Sequence, residues 1–202
     1  MSEQEYENCK NASDSEFICD GYRMTELMNS DIPSWYLTIF QVNQTNIEKL
    51  RNSTFENKTI ETINIHDNEK LMTIEIDAFM GLVGLKYLYI ENNKVSMNGL
   101  PNPVLQIPNL FVPFRNLQTL EVLNLGYNHI RNDDYLLYTS NLEIMTETLP
   151  CLRELDLSGN ALKFVDSSIF STLRCSPLTH LSIANVELYP SNGVSKGMFI
   201  FE

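Results

Sequence analysis

The chain has 202 residues, 43% of them hydrophobic, and a formal charge of −12 at pH 7. That length suits one domain or a run of short repeats, with ample apolar material for a core. The acidic balance argues against nucleic acid, whose phosphates need a basic surface, and against an anionic membrane; a basic protein ligand agrees with it, and so does simple solubility.

Residues 1–30 read as a polar N-terminal cap. Cys9 and Cys19 flank a polar stretch, and a small disulfide loop there would cover the open apolar end of a stacked structure. One strand is expected near Phe17–Tyr22. Met1–Phe17 is polar and acidic and does not read as a secretory signal. No apolar run reaches the roughly 20 residues of a bilayer span, so a membrane link is expected only through a segment downstream of this chain. Asp31-Ile32-Pro33 turns the chain into the region that follows.

From residue 31 to 202 one pattern recurs about six times. Its clearest copy is Leu152-Arg153-Glu154-Leu155-Asp156-Leu157-Ser158-Gly159-Asn160, of the form L-x-x-L-x-L-x-x-N. Leu155 and Leu157 fall on one side of a short strand, and Leu152 enters the same core from the preceding bend. Asn160 sits where the chain leaves the strand, placed to satisfy backbone groups of the bend. Leu37, Phe40, Val42 and Thr45 make a looser first copy. Ile60, Ile63, Ile65 and Asn68 make the second, Leu85, Leu88, Ile90 and Asn93 the third, and Leu120, Leu123, Leu125 and Asn128 the fourth. Leu178, Leu181 and Ile183 make the last, with Val186 in place of asparagine. Phe55, Phe79, Phe114 and Phe170 each precede the next copy by five to eight positions, so they are expected to stack as a spine on the convex side. One such unit cannot bury its own apolar edge, so the copies must stack. The expected fold is an α/β solenoid: a leucine-rich-repeat horseshoe with a parallel concave β-sheet, an irregular convex side and the N-terminal disulfide cap.

The first two copies run 23 and 25 residues, the third 35 and the fourth 32. Long insertions are therefore expected at 96–113 and 131–148. The first carries Asn98-Gly99, Pro101, Pro103, Pro108 and Pro113, which marks a loop. Its apolar residues, among them Leu105, Ile107 and Phe111, either pack back on the solenoid or meet a partner. In the second, Leu136, Leu137, Leu142 and Met145 suit a short convex helix. The chain ends without a cysteine-rich C-terminal cap, and a piece of a longer solenoid is the expectation.

Cys151 and Cys175 precede successive copies. Adjacent strands lie about 4.8 Å apart, which brings a disulfide within reach; two buried thiols are the alternative. Asn11, Asn43, Asn52 and Asn57 each begin an N-x-[ST] glycosylation motif. Cysteine cap and clustered sequons together point to an extracellular, cell-surface location.

Side chains between the strand leucines are expected on the concave face. Tyr87, Tyr89, Glu91, Val122, Asn124, Tyr127, Glu154, Asp156 and His180 are the candidate ligand-binding residues, with Tyr87, Tyr89, Val122 and Tyr127 as an aromatic cluster. Exposed tyrosines, apolar in body and polar at the tip, are typical interface anchors; ordinary strand tyrosines are the alternative. A glycan on Asn43 would obstruct the first coil and shift contact to the middle. Glu154 beside His180 suggests a pH-sensing pair, against a plain solvated histidine. Ser158, His180 and Asp156 invite comparison with a catalytic triad, but nothing supplies an oxyanion hole. No Cys/His spacing resembles a zinc site, and no phosphate loop is present. No enzyme, metal or cofactor is expected.

On Cys9 and Cys19, the repeats, and the segment from Leu149-Pro150-Cys151-Leu152 to Phe170-Ser171-Thr172-Leu173-Arg174-Cys175, the chain resembles animal extracellular leucine-rich-repeat proteins. It looks most like the N-terminal part of a Toll-like receptor ectodomain. The resemblance implies a protein ligand or co-receptor, or a second copy of the chain as partner, in innate immune or developmental signalling. A secreted or membrane-anchored adhesion protein and a cytosolic scaffold are the other readings.

Overall fold

The computed structural model describes residues 8–95, 111–130, 148–160 and 177–184. Most of both expected insertions lies outside these residues, as do Phe170, Cys175, Asn185 and Val186. The chain opens with β1 (Cys9–Asn11) and β2 (Glu16–Asp20), an antiparallel hairpin in which Cys9 faces Cys19 and is bonded to it. The expected cap disulfide is therefore present. Its strand content is a hairpin and not a single strand. A 3-10 turn at Asn29–Asp31 follows, closed by Asp31 Oδ2, which accepts the Met28 N–H at 2.8 Å.

Each repeat contributes one strand to a parallel ladder: β3 (Leu37–Asn43), β5 (Ile60–His66), β7 (Tyr87–Glu91), β8 (Val122–Asn124), β9 (Glu154–Asp156) and β10 (His180–Ser182). With β1 and β2 they form an eight-stranded sheet in the order β1-β2-β3-β5-β7-β8-β9-β10 among the described residues. Two short segments, β4 (Lys49–Leu50) and β6 (Thr73–Ile74), pair in parallel as a second ladder on the return path of the coils. The expected helical component is slight. Beside the sheet the described residues carry 3-10 turns at Asn29–Asp31 and Val112–Phe114 and one helical residue, Thr148; Leu136, Leu137, Leu142 and Met145, expected in a short helix, lie outside the described residues. The reason lies in the short return paths, which run as turns and ladder bridges.

Strand alternation assigns the inside. Phe40 and Val42, Ile63 and Ile65, Leu88 and Ile90, Leu123, Leu155 and Leu181 are buried while their sequence neighbours face out. Behind the sheet the phenylalanine spine forms as expected for its described members. Phe55 stacks on Phe79 at 5.2 Å between centroids, and Phe79 on Phe114 at 5.7 Å. The stack also runs further toward the cap than the repeat pattern implied, through Phe40 to Phe17.

The repeat asparagines are fully enclosed and work between coils. Asn68 Nδ2 donates to Val42 O of the preceding coil at 3.1 Å and to His66 O of its own at 3.0 Å. Its Oδ1 accepts both the N–H and the hydroxyl of Thr45. Asn93 repeats this with Ile65 O and Glu91 O, Asn128 with Ile90 O, and Asn160 with Leu125 O. Carbonyls and amides that a sharp bend would leave without partners are thereby satisfied.

The expected Cys151–Cys175 bridge involves Cys175, which lies outside the described residues. Cys151 carries a free thiol and is exposed.

Asn128→Ala is expected to lower the unfolding free energy by about 2–4 kcal/mol, because it removes three donated bonds and leaves buried carbonyls unpaired. The exposed control Asn116→Ala should stay within about 0.5 kcal/mol in the same urea titration. A loss below about 1 kcal/mol at Asn128 would mean that water replaces the amide.

Candidate functional site

In a parallel ladder without register slips, equivalent residues of successive coils become lateral neighbours about 4.8 Å apart. Two such rows cross the open face of the sheet. The first is Ile39, Thr62, Tyr87, Val122, Glu154 and His180; the second is Gln41, Asn64, Tyr89, Asn124, Asp156 and Ser182. A shorter third row sets Asn43 beside His66 and His66 beside Glu91. Expected residues Tyr87, Tyr89, Glu91, Val122, Asn124, Glu154, Asp156 and His180 therefore share one face.

Several of them are held in place. Asn124 Nδ2 donates to Glu91 Oε2 at 2.9 Å, and Asn124 Oδ1 accepts the Gly126 N–H at 2.8 Å. Asp156 Oδ1 accepts the Ser158 N–H at 2.7 Å. Burial pushes the Tyr89 phenol above its ordinary pKa, with Glu154, Tyr87 and Glu91 adding to the shift.

Tyr127 departs from expectation. It lies beyond β8, where its backbone is left-handed (φ 52°), and its side chain is 55% exposed. A Cβ on Gly159 would come within 2.5 Å of its ring, so the ring rests on the next coil. The position belongs to a series: Gln44, Asp67, Asn92, Tyr127 and Gly159, each preceding the buried Thr or Asn of its repeat, all have positive φ. Asp, Asn and Gly tolerate that backbone; a bulky ring there is an outlier. Gln44, Asp67, Asn92 and Tyr127 open onto a cleft along the rim of the sheet, lined also by Tyr22, Glu69 and Lys94 among others. Within it, hydrogen bonds from His66 and Asn92 hold the Asp67 carboxyl below its usual range. The sequence pattern did not single out this cleft. Its signal was the Asp, Asn and Gly preceding the repeat asparagines.

At the opposite, entry side of the strands, Tyr36 Oη donates to Glu61 Oε2 at 2.7 Å and Lys86 Nζ to Glu61 Oε1 at 3.0 Å. These contacts hold the Glu61 carboxyl low and raise the Tyr36 phenol and the Lys86 ammonium.

The Glu154–His180 pair stands side by side by register, yet no ion pair joins them among the described residues. His180 Nδ1 lies 2.9 Å from Thr179 Oγ1 instead. Ser158 Oγ is 2.5 Å from Ser182 Oγ, so serine, histidine and aspartate do not form a relay. Of the sequon asparagines, Asn11, Asn52 and Asn57 are exposed; Asn43 is half-buried on the open face, opposite His66.

The leucine-rich-repeat family models match residues 36–95 and 151–173. Human Toll-like receptor 3 is 32% identical over 165 residues, covering 64% of this chain and 18% of that protein. Toll-like receptor 3 of Boselaphus tragocamelus is 28% identical over 233 residues, covering 95% of this chain and 25% of that protein. The chain thus spans about a fifth to a quarter of the length of these curated relatives. The crystal structure of the TLR13–ssRNA13 complex superposes with a TM-score of 0.58 at 25% identity, over 90% of this chain and 26% of that one. That neighbour is an RNA complex, so the exclusion of nucleic acid drawn from net charge is unsupported.

Gly159→Ala is expected to lose about 1–2 kcal/mol from left-handed backbone alone, and more while the Tyr127 ring occupies the space. In a Tyr127→Ala background the loss should fall to the backbone value. Equal losses in both backgrounds, measured by thermal melts, would show that the ring swings clear.

Proposed function

The chain is a leucine-rich-repeat protein distantly homologous to Toll-like receptor ectodomains, and from that premise we propose that it is ligand-recognising ectodomain of an extracellular or luminal receptor. The observation carrying this reading is the open sheet face, where tyrosines, carboxylates and amides are set at fixed spacing on a buried scaffold. A rigid array of this kind suits recognition by surface, with large amphipathic rings as anchors. The function is binding, in keeping with a family that is generally non-enzymatic. Its partner is a protein ligand or co-receptor, or a second copy of the chain, and binding is passed on by receptor pairing. The disulfide cap and the exposed sequons Asn11, Asn52 and Asn57 support a secretory route. A glycan on Asn43 would crowd the first coil and leave the middle coils as the contact region.

Expressed through a eukaryotic secretory pathway, the chain should emerge with Cys9 and Cys19 oxidised and with a mass that falls on enzymatic removal of N-glycans. Free thiols and an unchanged mass would favour a cytosolic scaffold. In a binding screen against secreted proteins, with the ssRNA13 oligonucleotide as a second probe, Tyr87→Ala and Tyr127→Ala should each cost a bound partner more than about 1 kcal/mol. Unchanged affinity in both variants would remove these rings from the site. Self-association with no other partner would favour adhesion.

A further inference from the structure

We infer that the open face from β7 to β9 docks a basic protein segment whose arginine or lysine side chains are two or three positions apart. The inference rests on the receptor reading above and names the chemistry of the ligand. It starts from how charge is distributed. Some carboxylates elsewhere in the described residues have lysine or arginine partners: Glu61 with Lys86 at 3.0 Å, Asp77 with Arg115 at 2.7 Å, Glu75 with Lys49 at 3.5 Å, Asp20 with Lys10 at 3.3 Å, and Glu26 with Arg51; others, Glu48 and Glu56 among them, do not. Glu91, Glu154 and Asp156 have none among the described residues. None of the described residues in the rows that cross this face is a lysine or arginine either. The face therefore holds uncompensated negative charge beside Tyr87 and Tyr89.

Those tyrosines decide the class of cation. Isolated ion pairs at an exposed surface contribute little, so carboxylates alone would make a weak site. A guanidinium or ammonium over a tyrosine ring adds cation–π attraction, and the planar guanidinium also stacks. The raised Tyr89 phenol, shifted by burial and then by Glu154, Tyr87 and Glu91, agrees with ring and carboxylates sharing one local field. A bound metal ion fits less well. The described residues contain no group of three or more acidic, histidine or cysteine side chains close enough to hold one. The carboxylates are spread over β7 to β9, two strand spacings or about 10 Å, which an extended chain covers in about three residues.

The test uses the 202-residue chain and a fluorescein-labelled peptide Arg-Gly-Gly-Arg-Gly-Gly-Arg, followed by anisotropy at low ionic strength. Binding is expected, with affinity reduced at least about tenfold in Glu154→Gln/Asp156→Asn and reduced as well in Tyr89→Leu. The exposed pair Glu48→Gln/Glu56→Gln removes the same two charges from elsewhere and should change affinity less than about twofold. No binding, or equal losses in the two double variants, would overturn the inference, the second outcome marking non-specific attraction. So would ssRNA13 that binds through Tyr87 and Tyr89 and tightens in Glu154→Gln/Asp156→Asn, or a protein partner that needs the tyrosines and ignores the two charges. Either of those last outcomes would leave the receptor reading standing. Melting curves of all variants separate lost binding from lost fold.

Discussion

A chain wound into coils must bend sharply after every strand, and each bend strands backbone groups inside the protein. Leaving one buried group unpaired costs about 1–3 kcal/mol, so the fold depends on whatever pairs them. In four of the coils a single enclosed carboxamide does it, reaching back to the preceding strand and across its own bend: Asn68 to Val42 and His66, Asn93 to Ile65 and Glu91. Asn93 Oδ1 also accepts from the Asn68 backbone N–H and from its Nδ2, so consecutive asparagines touch. Because each amide bonds two coils at once, it fixes their relative height as well as closing the bend.

Fixed height has consequences on the far side of the sheet. With the buried leucines and isoleucines in register, the outward residues fall into straight rows, and Tyr87, Val122 and Glu154 become neighbours though far apart in sequence. The candidate face is thus a product of the same hydrogen bonds that hold the core. Closing the bend also forces the residue before each asparagine into left-handed backbone. Four of the five positions carry Gln, Asp, Asn or Gly. Tyr127 is the fifth, and its exposed ring is not repaid by burial. An exposed aromatic on left-handed backbone is an outlier that motivates a functional hypothesis at Tyr127.

Much of this was legible in the residues. Period-two leucines fixed which side chains point inward, and the phenylalanines in phase with them revealed the spine through Phe55, Phe79 and Phe114. The Cys9–Cys19 loop followed from its place before the first coil. The lateral rows of the open face, such as Tyr87 beside Val122 and Glu154, are set by the register between strands. What escaped the pattern involved geometry between coils. The position of Tyr127 turns on a positive φ with no marker of its own, since tyrosine does not announce left-handed backbone as glycine does. The β4–β6 ladder has too few residues to show alternation.

Net charge was the least informative quantity, and the reason is physical. A total of −12 sums over every surface, while a ligand senses the potential within about a Debye length, roughly 10 Å at 0.1 M salt. Within that radius what matters is which carboxylates already have partners. Along the strand entries and return paths, Lys86, Arg115 and Lys49 pair with Glu61, Asp77 and Glu75. On the open face Glu91 and Asp156 accept only neutral amide donors, which orient a carboxylate without cancelling its charge. The open face thus carries carboxylates with no lysine or arginine in its rows, and it is the face whose rows the register sets.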